Sequence, residues 1–236
     1  MLASLLYNTK PLRKTEENMQ TEIGEEIMDE IQKKRLTYPR VSDILAIQNA
    51  NALRSVPIDK LMNASLRGTA VDNYCTTFMQ KLFMPEIEPQ YQIYVDAFIS
   101  WANKNIKKVV YTHRRLYDDV LCFSGEFDAI VILNNSNELT LIDIKATCLP
   151  SKTWSVQLAA YKHLCEKNGI KIDQIMNVHL KKSAKVSTQE IQGEKVKVSI
   201  PVVCAKEIRH EHSNSAWEIF SSALKCYDYF ERKEAI

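Results

Sequence analysis

Two aspartates and a lysine lie near the polar ends of apolar, β-type segments of this chain. Asp128 follows Gly125 in one segment, and Asp143 and Lys145 end the next, residues 139–145. Ionised side chains in such segments need partners, because burying an unpaired charge is costly. A divalent cation is the simplest partner for two carboxylates, since hard cations prefer oxygen ligands. The pattern therefore indicates a metal site, with Lys145 available to hold a water or a phosphate group.

The elements that position these residues can be predicted from side-chain alternation. Residues 139–145 are mostly apolar or β-branched, which predicts a buried strand. With a period of two, Asp143 and Lys145 point to one face of the sheet, while Ile142 and Ile144 point to the other. The two charged side chains are therefore expected to meet on the same face.

A second strand is predicted just before this one, over residues 125–133. The intervening Asn-Asn-Ser-Asn, residues 134–137, is a strong turn signal. A hairpin of the two strands would bring Asp128 and Asp143 together across the ladder. Two carboxylates at close range repel each other, and a bound cation reverses the sign of that interaction.

Two predicted helices flank this pair of strands. Residues 154–167 form one, on which Gln157 and Tyr161 lie one turn apart on a shared face. The other covers residues 67–83, with Asp72 at the edge of its apolar face, where it can reach a site beside the sheet.

Three short motifs in this order resemble the PD-(D/E)XK nuclease superfamily, in its RecB-like and phage exonuclease branch. That branch has Gly-x-x-Asp, then Asp-x-Lys on a strand, then Gln-x-x-x-Tyr on the next helix. The matching residues here are Gly125 and Asp128, Asp143 and Lys145, and Gln157 and Tyr161. The resemblance covers residues 67–165.

The resemblance implies a metal-dependent nuclease. Asp128, Asp143 and the backbone carbonyl of Ile144 would hold Mg²⁺ or Mn²⁺. The metal would lower the pKa of a bound water and stabilise charge on the attacked phosphate. Lys145 would orient or deprotonate that water and neutralise the transition state.

The chain departs from the family pattern at one position. Residues 67–72, Arg-Gly-Thr-Ala-Val-Asp, look like the family's Arg-Gly-x-x-x-His, but Asp72 replaces the histidine. An aspartate is a good ligand for a hard cation, so Asp72 is a candidate metal ligand. Loss of this ligand is the alternative. The five histidines of the chain show no ligand spacing.

Several residues are candidates for binding a nucleic-acid backbone. The resemblance assigns this role to Gln157 and Tyr161, and we extend it to Arg67, Lys181 and Lys182. The lysine cluster to which the last two belong also includes Lys185, Lys195 and Lys197. A solvated, lysine-rich hairpin is an equally good interpretation of that cluster.

The predicted fold class is α/β. The resemblance implies a restriction-endonuclease-like core with a central mixed sheet flanked by helices, plus an N-terminal helical elaboration. Residues 1–20 are expected to be a flexible arm, residues 21–104 a helical part packing on the core, and residues 105–236 the nuclease core. The stretch 67–104 is expected to be continuous with that core.

The composition of the chain limits the class of protein to which it can belong. Hydrophobic residues make up 45% of the chain and charged residues 25%, as is usual for a globular protein. A formal net charge of +2 does not by itself indicate nucleic-acid binding. Without a signal peptide or an apolar run long enough to span a bilayer, the protein is expected to be cytoplasmic, in a bacterium or a phage-infected cell.

The sequence therefore predicts a metal-dependent deoxyribonuclease, of an exonuclease type that serves recombination, repair or a phage. DNA is the expected partner, with a homo-oligomer or a recombination protein as further candidates, and no membrane. Two alternatives remain: a catalytically inactive nucleic-acid-binding or scaffold protein with the same fold, and a dimeric site-specific endonuclease.

Overall fold

The computed structural model describes residues 28–35, 37–191, 194–211 and 214–231. The chain divides into two compact units, Met1–Pro39 and Arg40–Ile236. In the first unit, residues 28–35 are helical (α1). The predicted arm, residues 1–20, lies outside the described residues. Among the helices that are described, none combines the length and the apolar character needed to cross a membrane.

A five-stranded mixed sheet forms the centre of the second unit. Its strands are β1 (Ile106–Asp118), β2 (Phe123–Leu133), β3 (Leu139–Lys145), β4 (Gln174–Ile191) and β5 (Glu194–His210). They lie side by side in chain order, and all neighbours are antiparallel except β3 and β4, which are parallel. A parallel pair needs a crossover connection, which a helix between β3 and β4 supplies.

Helices cover both faces of the sheet. They are α2 (Val41–Ile44), α3 (Ala46–Leu53), α4 (Ile58–Met79), α5 (Pro89–Asn105), α6 (Thr153–Lys167) and α7 (Asn214–Phe230). On one face, Leu158 of α6 and Phe220 of α7 are buried in a core with Leu141 of β3. On the other, Val71 of α4 and Phe98 of α5 are buried with strand residues that include Ile142. This three-layer arrangement confirms the predicted α/β class, with a central mixed sheet flanked by helices.

The predicted hairpin of β2 and β3 is present. Ala129 pairs with Ile142, and the ladder continues toward the turn. The predicted alternation on β3 also holds, because Leu141 and Ile142 lie in the cores on opposite faces of the sheet.

Helix α4 and strands β4 and β5 differ most from their predicted extent. Helix α4 begins at Ile58, before the predicted start at residue 67, and ends at Met79, before the predicted end at residue 83. No proline interrupts it, and Gly68 lies inside it with open space around its Cα. Strands β4 and β5 are longer than the segments 174–181 and 195–203 that the sequence predicts as strands, since their paired ladder continues from Ile175 opposite His210 to Ile191 opposite Glu194.

The extra length of β4 and β5 forms a two-stranded ribbon. The ladder between β3 and β4 ends where Lys145 pairs with His179. Beyond Leu180, β4 pairs with β5 alone among the described strands. We call this segment, residues 181–191 with 194–204, the β-ribbon. At about 3.3 Å per residue it extends roughly 35 Å past the end of β3.

Candidate metal and catalytic site

Three side chains from three elements converge where β2 and β3 separate. Asp72 comes from α4, His113 from β1 and Asp128 from β2, and one ligand atom of each lies within 4.8 Å of the others. All three residues are half-buried. Metal–ligand distances of about 2.0–2.6 Å put the ligand atoms of one ion no more than roughly 4–5 Å apart. The group therefore has the dimensions of a cation site.

One oxygen of this group has no partner among the described residues. Asp72 Oδ1 is buried and makes no hydrogen bond, whereas Oδ2 lies 3.1 Å from Nε2 of His113. Leaving a buried carboxylate oxygen unpaired costs free energy, so such atoms are rare in folded proteins. A cation bound between the three residues would satisfy it.

His113 reaches this position through a local irregularity of the sheet. Its register, between the pairs Arg114–Phe127 and Thr112–Ala129, puts it opposite Asp128. Its φ of 44° is left-handed, a conformation that costs a residue with a Cβ about 1–3 kcal/mol. Strain of this kind persists where the surroundings hold it, often at functional sites.

Strand β2 is irregular at the same level. Phe127 is buried in the core beneath α6, but Ala129 is buried in the core beneath α4. Two residues apart on a regular strand would share a face, so the alternation breaks at Asp128. The interruption directs Asp128 toward the rim where the strands separate.

His113 is held from both sides of its ring. Nε2 lies 2.9 Å from Thr76 Oγ1, in addition to Asp72, and Nδ1 lies 3.7 Å from Glu126 Oε1. The hydrogen bond with Asp72 is the main cause of a raised pKa for His113, which partial burial opposes. The contact therefore favours the protonated imidazolium beside the Asp72 carboxylate.

Asp128 also links the two strands of the hairpin. Its Oδ2 accepts a 2.6 Å hydrogen bond from the backbone N–H of Ile144. Burial raises the pKa of Asp128 well above its usual range, and the neighbouring carboxylates of Asp143 and Asp72 raise it further. The carboxyl groups are thus close enough to oppose one another's ionisation.

Asp143 and Lys145 form an ion pair on one face of β3. Lys145 Nζ lies 2.7 Å from Oδ2 of Asp143, which is 2% exposed. Burial raises the pKa of Asp143, although the lysine opposes this. Burial alone would lower the pKa of Lys145, but Asp143 and Asp128 outweigh it and raise that pKa. Lys145 is therefore held as a cation.

The two predicted residues of α6 continue this polar chain. Lys145 Nζ donates a 3.0 Å hydrogen bond to Oε1 of Gln157, and Gln157 Nε2 donates a 2.9 Å bond to the hydroxyl of Tyr161. Tyr161 is buried, which raises its pKa. The phenol therefore stays protonated and fixes Gln157, which in turn fixes the ammonium group.

Sequence reasoning missed three residues of this site. Asn177, fully buried on β4 opposite Asp143, donates a 2.7 Å hydrogen bond to Asp143 Oδ2. His210, at the end of β5, places Nε2 2.7 Å from Asn177 Oδ1. The third is His113, in which no ligand spacing was recognised. One signal was present for Asn177: an amide interrupts the apolar run Ile-Met-Asn-Val of β4.

The remaining predicted residues lie around this centre. Arg67 Nε donates a 3.0 Å hydrogen bond to the carbonyl of Ala146, directly after Lys145, and its guanidinium lies 5.7 Å from the ring centroid of Tyr94. Lys181 and Lys182 are exposed at the base of the β-ribbon. Successive strand residues point to opposite faces, so these two lysines point away from each other.

Comparisons with known proteins add little to this geometry. No protein-family model matches the chain, and no curated protein is similar to it in sequence. Among solved structures, the chain is similar to one from Eubacterium rectale described as a "putative exonuclease". The identity is 12% and the TM-score 0.44, over 83% of this chain and 80% of that one.

Proposed function

We propose that the protein is a metal-dependent nuclease that hydrolyses phosphodiester bonds of DNA. One observation carries the proposal: the cation-sized group of Asp72, His113 and Asp128 lies beside a buried carboxylate–lysine pair, Asp143 and Lys145. A binding protein would need neither the unpaired carboxylate oxygen nor the buried pair, both of which cost stability unless they serve chemistry.

The residues fit a divalent cation. The unpartnered Oδ1 of Asp72 and the raised pKa values of Asp128 and Asp143 are both relieved by added positive charge. Asp72, His113 and Asp128 would hold the ion, with Asp143 and the carbonyl of Ile144 as further candidate ligands. Oxygen ligands suit Mg²⁺ and Mn²⁺, and an imidazole in the set favours Mn²⁺ over Mg²⁺.

Lys145 would provide the second half of the chemistry. When bound, the metal would polarise the phosphate and lower the pKa of an attacking water. The raised pKa of Lys145 keeps it protonated, so it serves as a charge that orients the phosphate and stabilises the transition state, rather than as a base. Gln157 and Tyr161 position its ammonium group through the chain of hydrogen bonds described above.

An exonuclease is the form of this activity that we favour, because the motif order resembles that branch of nucleases. The test is a cleavage assay with linear and closed circular DNA in Mg²⁺, in Mn²⁺ and in EDTA. We expect linear DNA to be degraded in metal and circular DNA to persist. Degradation of circular DNA would instead identify an endonuclease, and no metal-dependent cleavage of either would contradict the proposal.

A matched pair of variants guards against a contaminating nuclease. Asp143→Asn should abolish cleavage while DNA binding in EDTA is retained, because the change removes a charge from the site and leaves the distant phosphate contacts. Asp96→Asn, the same change at an exposed residue of α5, should cleave as wild type does. Equal activity of the two variants would mean that the observed cleavage does not come from the Asp143 site.

A further inference from the structure

One face of the β-ribbon continues the face of the sheet that carries the Asp143–Lys145 pair. Asn177 on β4 and His210 on β5 point to this face, since Asn177 is hydrogen-bonded to Asp143 and His210 is hydrogen-bonded to Asn177. The ladder between β4 and β5 has constant register along its whole length. Alternation therefore puts the odd-numbered residues of β4 and the even-numbered residues of β5 on this side, which we call the lysine face.

Three lysines lie on the lysine face at spacings set by the register. Lys206 pairs with His179, and His179 pairs with Lys145, so the first of them lies level with the site. Two strand spacings of about 4.8 Å separate it from Lys145, or roughly 10 Å. Lys181 and Lys185 follow along β4, roughly 7 and 20 Å beyond that level.

The charge on this face is unopposed over the described stretch. None of the residues on the lysine face is acidic between His179 and Thr188 on β4, or between Val198 and His210 on β5. Lys181, Lys185 and Lys206 are exposed, and no carboxylate among the described residues lies within ion-pair distance of them. The face thus carries a line of exposed lysines that leads away from Lys145.

The opposite face of the β-ribbon differs. Leu180 on that side is buried against the helices α4 and α5. Lys182 follows it with the same parity, and Lys197, opposite Thr188, also belongs to that side. Both are exposed, but they lie on the opposite side of the sheet from Lys145. Lys197 therefore provides a control on the same ribbon.

We propose that the β-ribbon is a DNA-guiding arm, whose lysine face binds the phosphate backbone of the DNA that flanks the bond being cleaved. This inference rests on the proposed nuclease function. A phosphate backbone is the partner that fits, because it presents regularly spaced negative charge and needs no shape-specific pocket. Binding of this kind is independent of base sequence.

The test is the salt dependence of DNA binding, measured by fluorescence anisotropy in EDTA so that nothing is cleaved. Each phosphate contact contributes about 0.9 to the slope of log K against log salt for duplex DNA, and about 0.7 for a single strand. The double variant Lys181→Ala/Lys185→Ala should bind more weakly, with the slope lowered by about 1.8 on duplex or about 1.4 on single-stranded DNA. Lys206→Ala should lower it by half as much.

The control is the double variant Lys104→Ala/Lys197→Ala, which removes the same charge from exposed positions outside the lysine face, one on α5 and one on the opposite face of the ribbon. Its slope should match wild type. Equal losses in the two double variants, or no loss in either, would overturn the proposal while leaving a metal-dependent nuclease intact. Failure of the wild-type protein to bind DNA at all would overturn both.

The lysine face also carries apolar residues of β5, among them Ile200, which is 40% exposed. A second copy of the chain is the competing occupant. Sedimentation would then detect a dimer that Ile200→Asp dissociates, with DNA binding unchanged in the lysine variants. That combination would also overturn the proposal.

Discussion

Gly125 lies directly beneath the ring of Tyr161. A Cβ at position 125 would lie 2.8 Å from Cε1 of Tyr161 and 2.7 Å from Cδ1 of Leu164. The Gly-x-x-Asp motif therefore needs glycine here because a larger side chain would clash with α6. It lets α6 pack closely on β2, so that Tyr161 can hold Gln157 and, through it, Lys145.

Gly125→Ala should consequently destabilise the protein by about 1–3 kcal/mol, the usual cost of overpacking a core, and should reduce activity in the surviving folded fraction. Chemical denaturation measures the first effect. Gly68→Ala is the matched control: space around Gly68 is open and it lies within α4, so alanine should stabilise by about 0.5–1 kcal/mol. Wild-type stability of Gly125→Ala would mean that α6 can shift freely.

Lys145→Ala should lower the cleavage rate by about 10²-fold or more while Mn²⁺ still binds, because electrostatic help to a transition state is worth that much. Calorimetry and single-turnover cleavage measure the two effects separately. The control is Lys152→Ala, at an exposed lysine beside the start of α6. Loss of metal binding together with activity would mean that Lys145 supports the ligands instead.

Much of this site could be predicted from the local sequence pattern. Strand β3 has the predicted bounds, because a short apolar segment after a turn of four polar residues has few alternative conformations. The shared face of Asp143 and Lys145, and that of Gln157 and Tyr161, follow from the periods of a strand and a helix. These relationships involve residues only two or four positions apart.

The rest of the site depends on contacts that local pattern cannot specify. His113 approaches Asp72 and Asp128 through its own left-handed conformation on β1, which the regular alternation of a strand does not predict. Asn177 meets Asp143 through the register of a parallel pair that is joined by a long crossover. The sequence predicts strands shorter than those of the β-ribbon, because its exposed residues lack the apolar alternation on which strand prediction relies.

The contribution of Asp128 to the stability of the metal-free protein should fall as pH rises above about 4, the ordinary carboxyl pKa. The folded-state pKa of Asp128 is raised, so over the interval between the two values the folded state binds the extra proton, and ionisation on raising the pH destabilises it. The contribution is at most about 1.4 kcal/mol per pH unit for one proton. Asp128→Asn keeps an oxygen for the Ile144 N–H and cannot ionise.

Thermal unfolding in EDTA between pH 4 and 8 measures this effect as the difference between wild type and Asp128→Asn. The difference should shrink when Mn²⁺ is added, because a bound cation stabilises the ionised form and protons then compete with the metal. Parallel curves for the two proteins in EDTA would mean that Asp128 ionises in the folded protein as easily as in the unfolded chain.

The last prediction concerns Asp72, where the chain departs from the nuclease pattern, and its neighbour His113. If both are ligands, Asp72→Ala and His113→Ala should each weaken Mn²⁺ binding by at least about 10-fold, since even residues that only orient ligands are worth that much. Asp72→His should restore binding and raise the preference for Mn²⁺ over Mg²⁺, because a second imidazole replaces a hard oxygen ligand. Asp96→Asn again controls for loss of charge.

If Asp72 instead serves only as the ion-pair partner of His113, Asp72→Ala will bind Mn²⁺ as wild type does, and its only defect will be a loss of stability. A crystal soaked in Mn²⁺ separates the two cases directly: an Asp72 oxygen within about 2.6 Å of the ion supports the ligand role, and its absence from the coordination sphere contradicts it.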